Sequence, residues 1–127
     1  MRNLLYVCSV GLVAVLAGCG KDQPTTTGGG KSVDHWVQVA QGPDARMRKR
    51  AVLKLGNAGA SDPAVVPALI TALKDRDAGV RAEAALALLK IGPAAGEAVP
   101  ALTAAQKDRD TRVRTYAARA LEKVRGE

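Results

Sequence analysis

The feature that most constrains this chain is an internal repeat with a period of 33 residues. Displacing the sequence by one period aligns an Asp, an Arg, an Ala and a Leu in three successive copies. A fixed period of this length is typical of solenoids, in which each unit packs on its neighbours. The aligned columns are Asp44, Asp77 and Asp110; Arg48, Arg81 and Arg114; Ala51, Ala84 and Ala117; and Leu55, Leu88 and Leu121.

Each unit is predicted to form two helices, because apolar residues recur at three- and four-residue spacing and Gly or Pro separates the runs. In the middle unit, the first helix begins after Asp77, which is a good N-cap, and ends at Gly92-Pro93. Extending the register predicts a leading second helix at 33–40 and a final first helix at 110–124. The sequence therefore predicts six helices and no strands.

Both ends of the array depart from the repeat in ways that suit end units. Relative to the middle unit, Leu86 becomes Arg119 and Leu89 becomes Glu122, which makes packing positions polar. At the other end, Trp36 replaces the Leu of the repeat and can cover more apolar area. We therefore predict that both ends are capped.

The pattern D-x-x-V-R-x-x-A-A-x-A-L, followed by I-G and then A-V-P-A-L, resembles HEAT repeats of the short class also found in phycobilisome-lyase-like proteins. The resemblance covers 33–124 and implies an all-α fold, a short right-handed α-solenoid whose second helices form a binding face. It also implies, as an alternative, a bilin-lyase-like enzyme or subunit. Ankyrin repeats share the period but would need T-P-L-H-x-A, which is absent.

The first thirty residues are predicted to be an export signal and a tether. Arg2 precedes an apolar run at 4–17 that is too short to span a bilayer, which favours a secretory signal. The run ends in L-A-G-C, which resembles the lipobox of bacterial lipoproteins and implies a lipid on Cys19; an ordinary signal with an incidental Cys is the alternative. The resulting segments are a signal peptide at 1–18, the lipidated Cys and a flexible linker at 19–31, and a HEAT-repeat domain at 32–127.

Few residues of the predicted domain offer catalytic or metal-binding chemistry. His35 is the only histidine, and both cysteines, Cys8 and Cys19, precede the domain, which excludes His- or Cys-based zinc sites and Cys–His nucleophile pairs there. Paired carboxylates recur in the inter-helix turns, where capping is favoured over acid–base catalysis. We predict no catalytic residue, no metal and no cofactor. The paired carboxylates are Asp75, Asp77, Asp108 and Asp110.

The Arg column lies four residues after the Asp column in every unit. We predict that these arginines form a structural ladder by pairing with the aspartates within and between repeats. Binding of a phosphate polymer is the alternative. The columns are Arg48, Arg81 and Arg114, with Asp44, Asp77 and Asp110.

A dense group of cations distinguishes the predicted helix at 43–57 from its counterparts. The equivalent positions of the middle unit are mostly uncharged, so the repeat does not require the group. Together with the net charge of +7, it could contact anionic headgroups or an acidic partner, and a solvated face is the alternative. Its members are Arg46, Arg48, Lys49, Arg50 and Lys54.

The predicted second-helix face is a candidate protein-binding surface, and Gln38, Thr71 and Lys74 are its candidate contact residues. The sequence thus predicts an exported, lipid-anchored adaptor or scaffold of a bacterial envelope, held to a membrane through Cys19 and bound to a protein partner. Periplasmic and cell-surface positions stay open, as do the inner and outer membranes. Nucleic-acid binding is disfavoured because aromatic stacking groups are nearly missing, and a structural spacer is the remaining alternative.

Overall fold

The computed structural model describes residues 26–27 and 30–127. The predicted signal peptide, Cys19 and most of the linker lie outside the described residues. Short 3-10 helices at Gly59–Ser61 and Gly92–Ala98 connect the two helices of each full unit. The six α-helices of the described part are α1 (Val33–Val39), α2 (Ala45–Ala58), α3 (Val65–Ala72), α4 (Ala78–Ile91), α5 (Val99–Ala105) and α6 (Thr111–Arg125).

The six helices form two layers. In the first-helix layer, α4 lies between α2 and α6, and these contacts are the most extensive among the helices that the structure describes. The second-helix layer contains α1, α3 and α5, each of which packs against the first helix that follows it. This arrangement confirms the predicted all-α solenoid of six helices.

The helix boundaries follow from residues at the turns. The side chains of Asp44, Asp77 and Asp110 each accept a hydrogen bond of 2.8–3.1 Å from a backbone N–H in the first turn of the following helix. Such caps satisfy donors that have no partner within the helix. Gly59 and Gly92 end α2 and α4 with φ of 70° and 72°, a left-handed conformation that favours glycine. The predicted N-caps and the predicted end of α4 are confirmed.

Small residues fill much of the core. Among the residues that the structure describes, alanine is the most frequent buried hydrophobic residue, and the buried hydrophobic residues lie between Val33 and Val124. Residues 33–124 therefore contain an extensive hydrophobic core, which is the feature that a segment needs to fold independently. Helices α2 and α4 approach closely at Gly56, where an added Cβ would be 2.7 Å from the Cβ of Ala87.

A short strand pair precedes the helices, so the prediction of no strands was wrong. Thr26–Thr27 pairs antiparallel with Lys31–Ser32, and the second strand leads directly into α1. Gly30 has φ of 77°, which suits a tight turn, and threonine favours extended backbone. The strand at Thr26–Thr27 lies beside α2.

Both ends of the array have the predicted character of caps. Arg119 and Glu122 are exposed on α6, whereas their counterparts Leu86 and Leu89 are half-buried on α4. At the other end, Trp36 is only 5% exposed and belongs to the core. The polar and aromatic replacements therefore do cover the ends of the hydrophobic core.

The stretch Ala78–Ala105 is long and apolar enough to cross a membrane by length and composition alone. It is not one continuous α-helix, because α4 ends at Gly92 and a 3-10 helix precedes α5. Its buried side chains belong to the core of the array. Packing between neighbouring units therefore accounts for its apolar character.

We expect Gly56→Ala to lower the free energy of unfolding by about 1–3 kcal/mol, because the added methyl group overlaps Ala87 across the α2–α4 contact. Urea denaturation followed by circular dichroism measures this change. Gly96→Ala is the control, since its Cβ would meet nothing within 4 Å. Adding Ala87→Gly to Gly56→Ala should recover part of the loss; an unchanged loss in the double variant would contradict the close contact.

Candidate functional site

The arginines of the repeat connect the turns that join one unit to the next. These turns lie at 40–44, 73–77 and 106–110, and they are called the first, second and third turns. Nε and Nη2 of Arg48 donate to the two carboxylate oxygens of Asp75 at 2.8 and 3.0 Å, and Arg81 binds Asp108 in the same way at 2.8 and 3.1 Å. Nη1 of each arginine donates to two backbone carbonyls of the turn before its own helix. Each guanidinium thus bridges two successive turns. We call these two ion pairs the Arg–Asp ladder.

The ladder uses different aspartates from those predicted. Asp44, Asp77 and Asp110 cap helices, so the prediction that they pair with the Arg column was wrong, and the partners lie 27 residues after each arginine. The physical reason is local: the N-cap carboxylate is committed to amides of its own helix. The partner aspartate two residues earlier also accepts a bond of 2.9 Å from the N-cap residue's own amide.

The ladder keeps its carboxylates ionised. Burial alone would raise the pKa of Asp75 and of Asp108. Hydrogen bonds from Arg48 and Arg81, with those from the amides of the N-cap residues, hold the pKa of each carboxyl below its ordinary value. The hydrogen bond to Asp75 chiefly raises the pKa of Arg48. Both partners therefore stay charged at neutral pH.

The Arg–Asp ladder does not extend beyond these two ion pairs at either end of the described array. Gly42 stands where the later turns have Asp75 and Asp108, so the first turn offers no carboxylate. Arg114 keeps the carbonyl contacts of its column, but its Nη2 donates to the hydroxyl of Thr111 at 3.0 Å, and it has no carboxylate partner among the described residues. Arg114 is accordingly exposed.

A cleft of about 780 Å³ opens between the first and second turns. Gly42-Pro43 in the first turn replaces the Asp-Arg of the later turns, and the smaller side chains leave space beside Arg48. Half-buried Ile70 supplies an apolar wall, and polar side chains surround it. Such a cleft suits a partner side chain or loop that is partly apolar. Its lining residues are Ala40, Gln41, Gly42, Pro43, Arg48, Ile70, Thr71, Lys74, Asp75 and Arg76.

The structure brings together some of the predicted contact residues of the second-helix face. Thr71 and Lys74 are exposed on or just after α3 and line the cleft, whereas Gln38 is exposed on α1 outside it. The hydroxyl of Thr71 donates to the carbonyl of Pro67 at 3.2 Å. A narrower groove between α1 and α3 continues from the cleft past Val37.

The predicted cation group divides into exposed and buried members. Arg46, Lys49 and Arg50 are exposed on α2, on the first-helix layer, and we call these three residues the basic patch. Arg48 is only 4% exposed and belongs to the Arg–Asp ladder, so its inclusion among surface cations was wrong. Lys54 is half-buried. The basic patch and the second-helix face thus lie on different layers of the array.

Within residues 26–27 and 30–127, no group of three or more His, Cys, Asp or Glu side chains is placed to hold a metal ion. His35 is half-buried, and its ring meets that of Trp36 edge to face with 5.0 Å between the centroids. Its backbone N–H donates to the hydroxyl of Ser32. The contacts of His35 are therefore those of a residue that packs on the end cap.

Sequence reasoning missed Gly42, Pro43 and Arg76 as parts of a site. The only signal was a departure from the repeat, because Gly-Pro occupies two columns that are Asp-Arg in the other two turns. The cleft itself depends on distances between turns, which a sequence period does not give.

A model of the family described as HEAT repeats matches residues 33–122. The chain belongs to the HEAT-repeat family. A solved structure described as the complex of CpcE and CpcF of phycocyanin lyase from Nostoc sp. PCC7120 is similar, with a TM-score of 0.68 and 30% sequence identity. The match covers 84% of this chain but only 42% of that chain, so this array spans less than half of its relative. The comparison with curated proteins gave no match.

We expect Arg81→Ala to lower the free energy of unfolding by roughly 3 kcal/mol, because it leaves Asp108 without its cationic partner and two turn carbonyls without the guanidinium donor. Arg114→Ala removes the same side chain where no carboxylate pairs with it, and should cost less than about 1 kcal/mol. Chemical denaturation of both variants measures the difference. Equal losses would show that the Arg–Asp ladder adds nothing beyond the carbonyl contacts.

We expect the array to lose stability in acid. The pKa of Asp75 and of Asp108 is lowered in the folded state, so their ionised carboxylates stabilise the fold at pH values above the unfolded-state pKa. This stabilisation disappears as the pH falls through the folded-state pKa. The free energy of unfolding should therefore decline below about pH 4. Urea titrations across this range should show a shallower decline in Asp108→Asn. Glu122→Gln, at an exposed position, controls for the loss of one carboxylate, and an equally shallow decline there would refute the assignment.

Proposed function

We propose that this HEAT-repeat chain is an adaptor on a bacterial membrane, held by lipid on Cys19, which binds another envelope protein through the cleft between its first and second turns. The cleft is the observation that carries the proposal. It combines an apolar wall at Ile70 with hydrogen-bonding side chains from Gln41, Thr71 and Lys74. Such a combination of apolar contact and a few placed polar groups is typical of protein recognition sites.

The anchor in this proposal comes from the sequence. The L-A-G-C motif ends an apolar run of bacterial signal-peptide length, and a Gly- and Thr-rich linker of twelve residues follows Cys19. Because Thr26–Thr27 belongs to the strand pair, residues 20–25 remain as the tether, and a flexible chain of six residues has a root-mean-square span of roughly 13 Å. A tether of this kind would leave the array close to a membrane with its binding surfaces accessible to other envelope proteins.

The similar solved structure supports a protein partner. Its chain occurs in a complex of CpcE and CpcF, so a related helical array is found bound to another protein. HEAT arrays bind partners along extended surfaces because stacked units present a regular row of side chains. We infer that this chain uses its second-helix layer for that purpose, because the cleft opens there.

A bilin-lyase-like enzyme or subunit is the second candidate, and the similarity to the phycocyanin lyase complex favours it. Incubation with a bilin pigment, followed by gel filtration and absorbance spectroscopy, distinguishes it from an adaptor. Co-elution of pigment with the chain would support the lyase-like function. Absence of pigment from the protein peak would eliminate it.

The first measurement is cross-linking of the full-length protein in its native membranes, with mass spectrometry of the retained proteins. We expect one recurrent envelope protein, and a fall of about tenfold in its recovery with Thr71→Arg combined with Lys74→Glu, which corresponds to about 1.4 kcal/mol. Ala104→Arg with Lys107→Glu is the matched control, because these exposed positions are one repeat further along. Cys19→Ala should release the protein from membranes washed with high salt, which also weakens contacts between charged side chains and headgroups.

Equal loss of the partner with both double variants would show that the cleft is not the contact site. The proposed anchor would be refuted if the Cys19→Ala variant stayed on salt-washed membranes and mass spectrometry of the unaltered protein found no lipid on Cys19. A chain that carries lipid but retains no recurrent protein would be a spacer.

A further inference from the structure

Helix α2 combines surface features that no other described helix shares. The two exposed large hydrophobic residues of the described chain, Met47 and Leu53, both lie on α2 and are 41% and 37% exposed. The basic patch of Arg46, Lys49 and Arg50 lies on the same helix. Exposed cations therefore surround exposed apolar side chains on one surface.

Helical spacing places these residues side by side. Arg46, Arg50 and Leu53 follow one another at intervals of four and three, and Lys49 is four residues before Leu53, so all four share one side of α2. Met47 lies at the margin of this surface, in the column where α4 and α6 have core valines. The surface is thus amphipathic on a small scale, with Leu53 among the cations.

The repeat does not require the basic patch, although Leu53 does recur as Leu86 on α4. On α4 the positions of Arg46 and Arg50 are Gly79 and Glu83. On α6 the position of Arg46 is Arg112, which forms an ion pair with Asp110 at 3.2 Å. By contrast, the three side chains of the basic patch form no ion pair with any carboxylate of the described residues. Their charge is available to an external anion.

The path of the chain brings this helix near the proposed anchor. The strand at Thr26–Thr27 lies beside α2, seven residues after Cys19. The segment that leads back toward Cys19 therefore departs from the α2 end of the array. The second strand contacts α1 as well, so an anchor attached there would hold the α1–α2 end of the array nearest the membrane.

We propose that α2 docks on an anionic phospholipid surface, with the basic patch on the headgroups and Leu53 and Met47 at the headgroup–acyl boundary. Basic side chains are attracted to anionic headgroups, and exposed apolar side chains add contact with the interface. This inference rests on the proposed membrane anchor and gives the adaptor an orientation. The first-helix layer contacts lipid, and the cleft on the second-helix layer stays available to a protein.

The experiment uses the segment 26–127, which contains the hydrophobic core of the described residues and lacks the cysteine of the proposed anchor. It is sedimented with vesicles of equal parts phosphatidylglycerol and phosphatidylcholine, and with vesicles of phosphatidylcholine alone. We expect binding to the anionic vesicles that weakens with added salt. We expect little binding to the neutral vesicles.

Replacing Arg46, Lys49 and Arg50 with Gln should reduce the partition coefficient by about a hundredfold, as expected for three charges near an anionic surface. The matched control replaces Lys107, Arg109 and Arg119 with Gln, which removes the same charge from exposed positions elsewhere and should leave most binding intact. Leu53→Ser should weaken binding several-fold without changing charge. Circular dichroism verifies that each variant is folded.

Equal losses in the two triple variants would overturn the proposal, because they would show a general effect of net charge. Failure of the wild-type segment to bind anionic vesicles would also overturn the proposal. If the triple Gln variant then lost the cross-linked protein in native membranes, the basic patch would be the binding site of an acidic protein partner. The assay contains neither lipidated cysteine nor partner. A failure of the anchor or of the cleft therefore leaves its result unchanged and is detected separately.

Discussion

The bidentate contact between an arginine and the aspartate of the next turn sets the spacing of the whole array. Two nitrogens of Arg48 and of Arg81 bind a carboxylate of the next turn. The third nitrogen donates to the carbonyls of the turn before the arginine's own helix. The planar guanidinium fixes the angle as well as the distance between these groups. Because the turns are joined in this way, the layers stay in register, and the gap beside Gly42 persists as a cleft.

Much of the fold could be predicted because its signals are local. Asp77 and Gly92 mark where α4 begins and ends through contacts within a few residues, and the apolar spacing between them identifies a helix. The partner of Arg81 could not be predicted in this way, because two aspartates lie close together in the next turn. Only the folded geometry shows that one caps a helix and the other, Asp108, meets the arginine.

The candidate surfaces lie where the sequence departs from its own repeat. A residue that recurs in every unit, such as Leu88, is explained by packing between units and says little about function. Gly42-Pro43 and the basic patch are different, because the next unit has other residues at these positions and keeps the same fold. In a solenoid, comparison between units therefore separates positions needed for stacking from positions that are free to acquire a binding role.

The 27-residue reach of the ladder has a consequence for how such an array changes length. Arg48 and Arg81 each contact an aspartate of the next turn, and the repeat advances both partners equally, so inserting or removing one whole repeat leaves each internal arginine opposite an aspartate. A change of any other length would place the wrong side chain in the turn. The solenoid can therefore be lengthened by duplication of whole repeats, and the Arg–Asp contacts between turns are kept when it is.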